Sequence, residues 1–391
     1  MKANNLNAIG KWKRSESAGS LPSSRGSVWT NNSDSIELTE QILVLIDSAE
    51  RSLWIASPFI DDERIVDALQ RAKSRRVRVK LITDIRNNRG RGKLYTTRGF
   101  QSKPAEATSL EKHQACIREL VRSRISCRSP THYPHFKLII ADDRRGLLSS
   151  ANLTGNSLGG KKDCSLEVGI TIDCSELVGQ FVAVVANLWD SCPFRLLIDG
   201  GDVSIEQQGR CEQVASIAEL AERKNVLVNS PGENYFSLTN AIVNVVRQSK
   251  VELTFISMSF FEPNRVPRLE QALLEALSRN VEITAVVRPE HFRRAEEKGE
   301  YPDPSLVKLI KAGLQLRGIA GLHAKGLAVD QSRALIFSAN INPYSLTSEF
   351  ESNHMEMGVS LSKGDDGFES FSEFISDARH AAIQQFVLRN A

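Results

Sequence analysis

Two copies of one polar motif stand in the two halves of this chain, and their matched spacing constrains its fold more than any other feature. The first copy comprises His135, Lys137, Asp142, Ser150 and Asn152, and the second comprises His323, Lys325, Asp330, Ser338 and Asn340. In both copies Lys follows His by two residues, Asp by seven and Asn by seventeen. A Glu-x-Gly sequence comes after each copy, at Glu167 and at Glu356. The repeat predicts an internal duplication, in which each half of the chain builds one equivalent unit.

The segments around the motifs repeat in the same order. In the first half, apolar periodicity predicts a helix, a strand, a helix and a strand over 36–49, 52–59, 65–74 and 77–83. The second half repeats them over 238–249, 251–260, 269–279 and 281–287, and a further helix is predicted after each motif, over 175–189 and 368–386. Strands that alternate with helices are typical of α/β proteins whose sheets are covered on both faces.

Four segments are predicted from this repeat: a polar N-terminal tail over 1–34, a first lobe over 35–190, a connection over 191–233 and a second lobe over 234–391. The composition agrees, because 391 residues with 41% hydrophobic content suffice for two lobes that each bury a core. Trp12 and Trp29 in the tail are expected to pack against a lobe, with the docking of a partner as the alternative.

The residue types in the motif suit the cleavage of a phosphodiester. A neutral imidazole can attack phosphorus, while an imidazolium can protonate the leaving oxygen, because the ordinary pKa of histidine, about 6.5, leaves both forms accessible. Lysine and asparagine supply the donors that hold non-bridging oxygens in the transition state. Two copies that face each other therefore make a complete site, for which we expect no metal and no cofactor.

The motif also carries a resemblance to a known family. From about residue 36 to its C-terminus the chain resembles the phospholipase D superfamily, whose signature is H-x-K-x4-D-x6-G-S-x-N. Both copies fit except at the glycine, which is Ser149 in the first copy and Phe337 in the second. The resemblance implies an α/β fold of two pseudo-twofold-related phospholipase D-like lobes, each a mixed β-sheet flanked by helices, with the active site at the lobe interface.

The resemblance further implies roles for the motif residues. The expected catalytic residues are His135, Lys137, Asn152, Glu167, His323, Lys325, Asn340 and Glu356. One histidine attacks phosphorus, with His135 favoured, and the other protonates the leaving group. Each lysine and asparagine binds the phosphate, and each glutamate orients a histidine. Ser150 and Ser338 are expected to help bind substrate, whereas Asp142 and Asp330 are expected to stabilise loops.

Two histidines outside the motif stay open to more than one interpretation. His132 lies three residues before His135, and His354 lies two residues before Glu356. Both either line the cleft or serve in packing. His113 has no partner that the sequence identifies.

A basic insert bears on the substrate. Between the second strand and the motif, 48 residues separate Arg86 from His135, but only 34 separate Arg288 from His323. The insert, residues 86–128, holds eleven Lys or Arg, three acidic residues and two aromatic ones, Tyr95 and Phe100. Basic residues interleaved with aromatic ones suit a nucleic acid, so Arg89, Arg91 and Arg98 are expected to bind substrate. A second basic run over 71–80 adds to this expectation, and a solvated basic face is the alternative reading of both.

Three functions fit these observations. The favoured one is a metal-independent nuclease with nucleic acid as its partner, DNA before RNA. The others are a phospholipase or phosphatidyltransferase and a catalytically silent nucleic-acid-binding module. The chain is also similar to bacterial proteins found with restriction and anti-phage systems, which implies a role in antiviral defence beside partner proteins of a defence operon.

The same sequence predicts a cytoplasmic protein without stable membrane insertion. The polar N-terminus lacks the apolar stretch of a signal peptide, and no apolar run approaches the ~18–20 residues of a membrane span. The six cysteines show no Cys-x-x-Cys pair and are expected to be free thiols. Dimerisation is not needed for catalysis, because one chain holds both motifs, and the sequence leaves the oligomeric state open.

Overall fold

The fold is described from a computed structural model. It describes residues 10–14, 19–85, 109–159, 164–199, 202–208, 215–221, 225–260, 265–292, 303–349 and 353–388. Each structural statement below concerns these residues.

Strands and helices alternate along both halves of the described chain. The elements of the first half are β1 (Gly10–Arg14), β2 (Val28–Asn31), α1 (Glu37–Ser48), β3 (Ser52–Ala56), α2 (Glu63–Ser74), β4 (Arg78–Ile82), α3 (Ser109–Arg122), β5 (Ser126–Ser129), β6 (Tyr133–Pro134), β7 (Lys137–Ala141), β8 (Arg145–Ser149), β9 (Glu167–Ile172), α4 (Ser175–Ser191), β10 (Phe194–Asp199), β11 (Asp202–Gln207) and α5 (Ile217–Ala221). Those of the second half are β12 (Val226–Ser230), a 3₁₀ helix (Pro231–Glu233), β13 (Tyr235–Phe236), α6 (Ser237–Gln248), β14 (Glu252–Ile256), α7 (Pro267–Ser278), β15 (Glu282–Val287), α8 (Pro304–Lys311), β16 (Gln315–Gly318), β17 (Gly326–Val329), β18 (Arg333–Phe337), α9 (Pro343–Leu346), β19 (His354–Ser362), α10 (Phe368–Ala381) and β20 (Gln384–Leu388).

The strands form two sheets with the same internal order. The first sheet runs β11-β10-β5-β4-β3-β7-β8-β9-β2, and the second runs β1-β20-β16-β15-β14-β17-β18-β19-β12-β13. In both, two strands joined by a helix are parallel (β3 with β4, β14 with β15), and the motif strand pairs antiparallel beside them (β7 with β3, β17 with β14). The predicted fold of two duplicated lobes with mixed sheets and flanking helices is therefore confirmed.

Three apolar clusters form the core of the protein, one in each lobe and one between the lobes. Helices α1, α2 and α3 pack on the outer face of the first sheet, and α6, α7 and α8 pack on the outer face of the second. The third cluster lies between the lobes and combines α4 and α10 with strands of both sheets. Residues of β7 alternate between the two sides, with Leu138 and Ile140 in the central cluster and Ile139 and Ala141 in the outer one. Both faces of the motif strand are thus buried.

The duplication extends to buried polar groups outside the motif. The amide of Asn31 donates to Thr39 Oγ1 at 2.7 Å, and the amide of Asn229 donates to Thr239 Oγ1 at 2.9 Å. Each bond ties the strand beside β9 or β19 to the first turn of the following helix, since Asn31 ends β2 and Asn229 lies in β12. Equivalent bonds at equivalent places support a common origin for the two lobes.

The N-terminal segment departs from the expected polar tail. Residues 10–14 form β1, which pairs with β20 of the second sheet, and residues 28–31 form β2, which pairs with β9 of the first. The rings of Trp12 and Phe386 lie 5.5 Å apart, so Trp12 packs on the second lobe as expected. Both sheets also take strands from outside the expected lobe limits, β10 in the first and β12 in the second. The lobe boundaries drawn above stay a prediction.

The helix expected over 368–386 is shorter than its apolar pattern suggested. It ends at Ala381, and residues 384–388 form β20 instead. This strand pairs on one side with β16 and on the other with β1, so tertiary pairing overrides the local helical pattern.

The basic run over 71–80 lies away from the motif histidines. It covers the end of α2 and the start of β4, at the edge of the sheet formed by the N-terminal ends of β3 and β4. Lys137 lies at the opposite edge, beside the C-terminal end of β3. Five strand residues at about 3.3 Å each put roughly 16 Å between the two edges. Arg71 pairs with Asp47 at 2.7 Å, and Arg75 donates to the carbonyls of Ile46 and Ala49 at the end of α1. The expectation that this run adds to the substrate surface is therefore corrected.

Across the described residues, no helix has both the length and the apolar character needed to cross a bilayer.

Candidate active site

The two motif segments cross each other where the lobes meet. Strand β6, just before the first motif, runs parallel to the start of β19, and the His135 N–H donates to the Met355 carbonyl at 2.9 Å. On the other side of the pseudo-twofold the His323 N–H donates to the Leu166 carbonyl, also at 2.9 Å. Each motif histidine is thus fixed by backbone bonds to the opposite lobe, immediately beside that lobe's motif glutamate.

Each motif histidine pairs with the glutamate of the other lobe. His135 Nδ1 lies 2.8 Å from Glu356 Oε1, and His323 Nδ1 lies 2.8 and 2.9 Å from the two carboxylate oxygens of Glu167. Both glutamates are fully buried. Because a carboxylate accepts hydrogen bonds, each Nδ1 carries the proton and each Nε2 is left as the reactive nitrogen. The site therefore needs both lobes.

The motif serines hold the glutamates. Ser150 Oγ donates to Glu167 Oε2 at 2.5 Å, and Ser338 Oγ donates to Glu356 Oε2. Both serines are buried. They were expected beside the phosphate as substrate-binding residues, but their hydroxyl protons are directed to the carboxylates, so in this structure they orient the groups that orient the histidines.

The motif lysines are buried in the same cleft. Lys137 is 2% exposed and Lys325 is not exposed at all, which is rare for lysine and needs nearby acceptors. The ammonium of Lys137 donates to the His135 carbonyl, and that of Lys325 donates to the His323 carbonyl at 2.5 Å. Burial lowers the pKa of Lys325 to about 8, against the opposing attraction of Glu167 and Glu356.

Ionisation in the cleft favours neutral histidines and charged glutamates before an anion binds. Burial lowers the pKa of His135 well below its ordinary value, although the Glu356 carboxylate opposes the shift. Burial likewise lowers the pKa of His323 to about 4, with Glu167 opposing and both Lys325 and Lys137 adding to it. Because Lys137 of one motif acts on His323 of the other, the two motifs share one electrostatic site.

The glutamates stay ionised for the complementary reason. Burial alone would raise the pKa of each, but His323, Lys325 and Ser150 together lower the pKa of Glu167 to about 2. His135 lowers the pKa of Glu356 well below its ordinary value in the same way. A phosphodiester anion that enters between the lysines raises the pKa of both histidines, so binding favours uptake of the proton that the reaction uses.

The motif asparagines each have an incompletely satisfied amide. The Oδ1 atoms of Asn152 and Asn340 are buried and lack a hydrogen-bond partner within the described chain. Buried polar atoms without partners are uncommon in folded proteins. Two of them at equivalent motif positions fit groups whose hydrogen bonds are completed by a bound ligand, and rotation of either amide presents N–H donors to a phosphate oxygen.

The motif aspartates lie at the far ends of the motif strands. The Asp142 carboxylate accepts from the backbone N–H groups of Glu50, Arg51 and Ser52, and the Asp330 carboxylate accepts from those of Lys250, Val251 and Glu252. Both aspartates have a positive φ, 56° and 49°, in the turn that follows the strand. Asp tolerates this conformation better than most residues. Their contacts join the turn to the start of the neighbouring strand and do not reach the cleft.

The two departures from the family signature have a common structural compensation. Ser149 pairs across the sheet with Gly169, and Phe337 pairs with Gly358. A Cβ on Gly169 would lie 3.0 Å from the Ser149 Cβ, and one on Gly358 would lie 2.8 Å from the Phe337 Cβ. The side chain that replaces the signature glycine thus occupies the space left by the glycine of the Glu-x-Gly sequence.

Sequence reasoning left His354 open, and the structure places it in the cleft. Its ring lies 4.9 Å from the His135 ring and 5.0 Å from the Tyr133 ring, centroid to centroid. Its Nδ1 lies 3.6 Å from Glu356 Oε1, so the carboxylate that supports His135 is shared with a second imidazole. The signal was present in the sequence, because residues two apart on a strand point to the same face.

A metal could find ligands at His135, His354 and Glu356. One ligand atom each from His135, His354 and Glu356 lies within 4.8 Å of the others, and the described residues contain no other such group. The ammonium of Lys137 acts on His135 and works against a cation at this place. The donors are available, but the charge of the cleft favours an anion.

His113, for which the sequence identified no partner, is a buried structural residue. Its Nδ1 accepts from the Ile60 N–H at 3.0 Å, and its Nε2 donates to the Asp84 carbonyl at 2.8 Å. Burial lowers its pKa, which keeps the ring neutral for both bonds. The histidine fixes α3 to the loops that follow β3 and β4, at the edge of the sheet where the motif begins.

Most of the basic insert, including Arg89, Arg91 and Arg98, lies outside the described residues. The two ends of this segment are described. It leaves the sheet after Ile85 at the edge near the site and returns in α3, which His113 fixes to Asp84 at the same edge. Farther along, Arg118 and Arg122 lie near Asp202, and Arg128 lies over the Trp189 ring.

Comparisons with known proteins agree with this geometry. A family model described as "Cardiolipin synthase, PLD-like domain" matches residues 42–189 and 242–363. No curated relative matches the sequence. A phosphatidylserine synthase from Haemophilus influenzae has a similar structure, with a TM-score of 0.61 at 16% identity over 98% of this chain and 90% of that one.

Two further solved structures are similar over different extents. A polyphosphate kinase from Porphyromonas gingivalis gives a TM-score of 0.51 at 14% identity, over 91% of this chain and 50% of that one. The phospholipase D family member Nuc from Salmonella typhimurium gives 0.32 at 21% identity, over 47% of this chain and 100% of that one. At 16% and 14% identity, the similarity to the phosphatidylserine synthase and to the polyphosphate kinase concerns the fold.

Proposed function

Because the chain belongs to the phospholipase D superfamily, we propose that it is a metal-independent phosphodiesterase that cleaves nucleic acid, DNA before RNA, through a phosphohistidine intermediate. The observation that carries the proposal is the pair of His–Glu contacts, each made between the two lobes to a buried glutamate, with a buried lysine beside each histidine. Two supported imidazoles and two ammonium groups are what an in-line displacement at a phosphodiester needs.

The reaction runs in two displacements. One neutral Nε2 attacks phosphorus, the ester bond to the leaving oxygen breaks, and the second histidine gives that oxygen a proton. The second histidine then removes a proton from water, which attacks the phosphohistidine and restores both imidazoles. Lys137, Lys325, Asn152 and Asn340 bind the non-bridging oxygens throughout.

The surroundings of the two histidines support different roles for them. Both oxygens of Glu167 lie within 2.9 Å of His323 Nδ1, so Glu167 supports His323 as a cation. Glu356 is shared between His135 and His354, and His354 further lowers the pKa of His135. We therefore assign His135 as the nucleophile, which must be neutral, and His323 as the general acid.

The insert supports nucleic acid as the substrate. Both ends of the segment that contains Arg89, Arg91 and Arg98 lie at the edge of the sheet that holds the site. A flexible polyanion that lies across this edge would meet an insert with eleven basic and three acidic residues. The description of the matching family favours a phospholipid substrate as the second candidate. The roles in antiviral defence and with operon partners, like the cytoplasmic location, stay predictions from the sequence.

A substrate panel in chelator tests both parts of the proposal. Purified protein in EDTA is expected to cleave labelled single- or double-stranded DNA or RNA and to leave phosphatidylglycerol vesicles intact, since no step uses a metal. The His323→Ala variant is the matched control for contaminating nucleases. Complete inhibition by EDTA would contradict the metal-independent mechanism. Turnover of lipid with no cleavage of nucleic acid would favour the second candidate.

The insert is tested through the salt dependence of binding. Replacing Arg89, Arg91 and Arg98 with Gln is expected to weaken nucleic-acid binding and to reduce the slope of log K against log salt by about 2–3, since each lost phosphate contact removes roughly 0.7–0.9 from the slope. All replacements are made in the catalytically inactive His135→Ala protein, so that binding is measured without cleavage. Replacing Arg71, Lys73 and Arg76 is the control, because these residues lie at the opposite edge. Equal slopes in both sets would remove the insert from the binding surface.

A further inference from the structure

Aromatic rings extend from the His135 side of the cleft to the surface. The Tyr133 and His354 rings lie 5.8 and 4.9 Å from the His135 ring. Beyond them Tyr344 faces His354 at 6.5 Å with an angle of 27° between the ring planes, a stacked arrangement. Tyr344 is 42% exposed and lies in the short helix α9, four residues after Asn340. The row therefore leads from a proposed catalytic group to solvent.

Among the described residues, the row exists on one side of the pseudo-twofold alone. On the other side of the pseudo-twofold, the positions equivalent to Tyr133, His354 and Tyr344 are taken by residues without rings: Gly321, Ser165 and Asn156. Asn156 is exposed after the first motif just as Tyr344 is exposed after the second. The fold therefore does not require a ring at this place, because the equivalent loop is built with an asparagine. Catalytic groups are duplicated in this site, whereas the rings are not.

An exposed ring stacked on a half-buried one can bind another flat ring. Nucleobases stack on tyrosine and histidine whatever their sequence, and each such contact contributes measurably to the binding of single strands. A base in a duplex has both faces covered by its neighbours and cannot use such a surface without leaving the stack. Acyl chains and small lipid headgroups have no flat face that matches it.

We propose that Tyr344 and His354 form a stacking subsite for an unpaired nucleobase next to the scissile phosphodiester. The substrate is then single-stranded, and it lies across the cleft in one direction, with a base held on the His135 side and none held on the His323 side. This inference rests on the proposed nuclease function and specifies the substrate class of the same site.

An abasic scan tests the subsite. The substrate is a labelled single-stranded oligothymidine with one abasic residue at a central position, and the cut bonds are mapped on a gel. Its sugar is deoxyribose or ribose, according to which polymer the wild-type protein cleaves. Wild type is expected to cleave one bond beside the abasic residue about 10–100-fold more slowly than distant bonds in the same strand, in line with the loss of one stacked base. Tyr344→Ala should cleave the two kinds of bond at nearly equal rates.

Two variants control for folding and for position. Tyr344→Phe keeps the ring and should restore the difference between the bonds, whereas Asn156→Ala changes the equivalent exposed residue of the first lobe and should leave it unaltered. Wild type should also cleave the single strand faster than the matching duplex. Equal cleavage beside and away from the abasic residue by wild type would overturn the subsite and leave the nuclease function standing. Failure to cleave any nucleic acid, with release of a lipid headgroup, would overturn the proposed function and the subsite with it.

Discussion

His135→Ala and His323→Ala are each expected to lower kcat on an ordinary nucleic-acid substrate by at least about a thousandfold, because they remove the nucleophile and the general acid of one reaction. The two variants should separate on a nucleoside p-nitrophenyl phosphate, whose leaving group needs no proton. His323→Ala should release nitrophenol in a burst and stop as the phosphohistidine, since no base then activates water. His135→Ala should release none. Rapid-quench measurement of nitrophenol and of radiolabel bound to the protein distinguishes them.

A suitable control is His380→Ala, which removes an exposed histidine of α10 whose Nδ1 bonds to the Ser376 carbonyl one turn earlier. It should match wild type in both assays. Near-wild-type turnover in either motif variant would contradict the two-histidine site. Covalent label in His135→Ala but not in His323→Ala would exchange the two roles and keep the mechanism.

The sequence was sufficient to predict the duplicated fold, and the structure brings the two motif histidines and their glutamates together, whereas the place of His354 was left open. Equal spacing in both motifs requires equal geometry around them, and a strand that alternates His135 and Lys137 presents both to one face. The identity of each glutamate's partner was beyond this reasoning. Glu167 lies in the same lobe as His135 but bonds to His323. Only the packing of one lobe on the other creates that exchange, and no local pattern encodes it.

Long-range pairing also explains what the sequence did not reveal. Strand β1 is five residues long, polar in sequence and paired with β20 at the other end of the chain. Because the two strands are far apart in sequence, no local pattern predicts their pairing. The basic run over 71–80 was misplaced for a related reason. Nearness in sequence to the motif does not give nearness in space, because α2 returns the chain to the edge opposite the site before β4 begins.

The activity should depend on pH through His323 and Lys325. Protonated His323 is needed as the acid, and its pKa of about 4 in the free protein means that kcat/KM for nucleic acid rises as the pH falls from 8 to 5. Deprotonation of Lys325, whose pKa is about 8, adds a further decrease above that pH. With the p-nitrophenyl substrate, which needs no acid, the rise toward low pH should disappear.

Glu167→Gln and Glu356→Gln are expected to lower kcat/KM on nucleic acid by up to about 10⁴-fold, the loss known for a catalytic imidazole whose orienting carboxylate becomes an amide. An amide keeps the shape but no longer stabilises an imidazolium, and its NH₂ can turn toward Nδ1 and favour the wrong tautomer. Removing the Glu167 charge removes the attraction that opposes burial, so the pKa of His323 decreases further.

The p-nitrophenyl substrate again distinguishes the two variants, because each glutamate supports a different histidine. Glu167→Gln should recover most of its first-turnover rate on this substrate, since the acid is no longer needed. Glu356→Gln should stay slow, since it weakens the support of the nucleophile His135. Ser165→Ala, two residues before the first lobe's glutamate, is a control that should behave as wild type. Equal recovery of both glutamate variants would show that the carboxylates do not act through separate histidines, and the assignment of roles would fail with it.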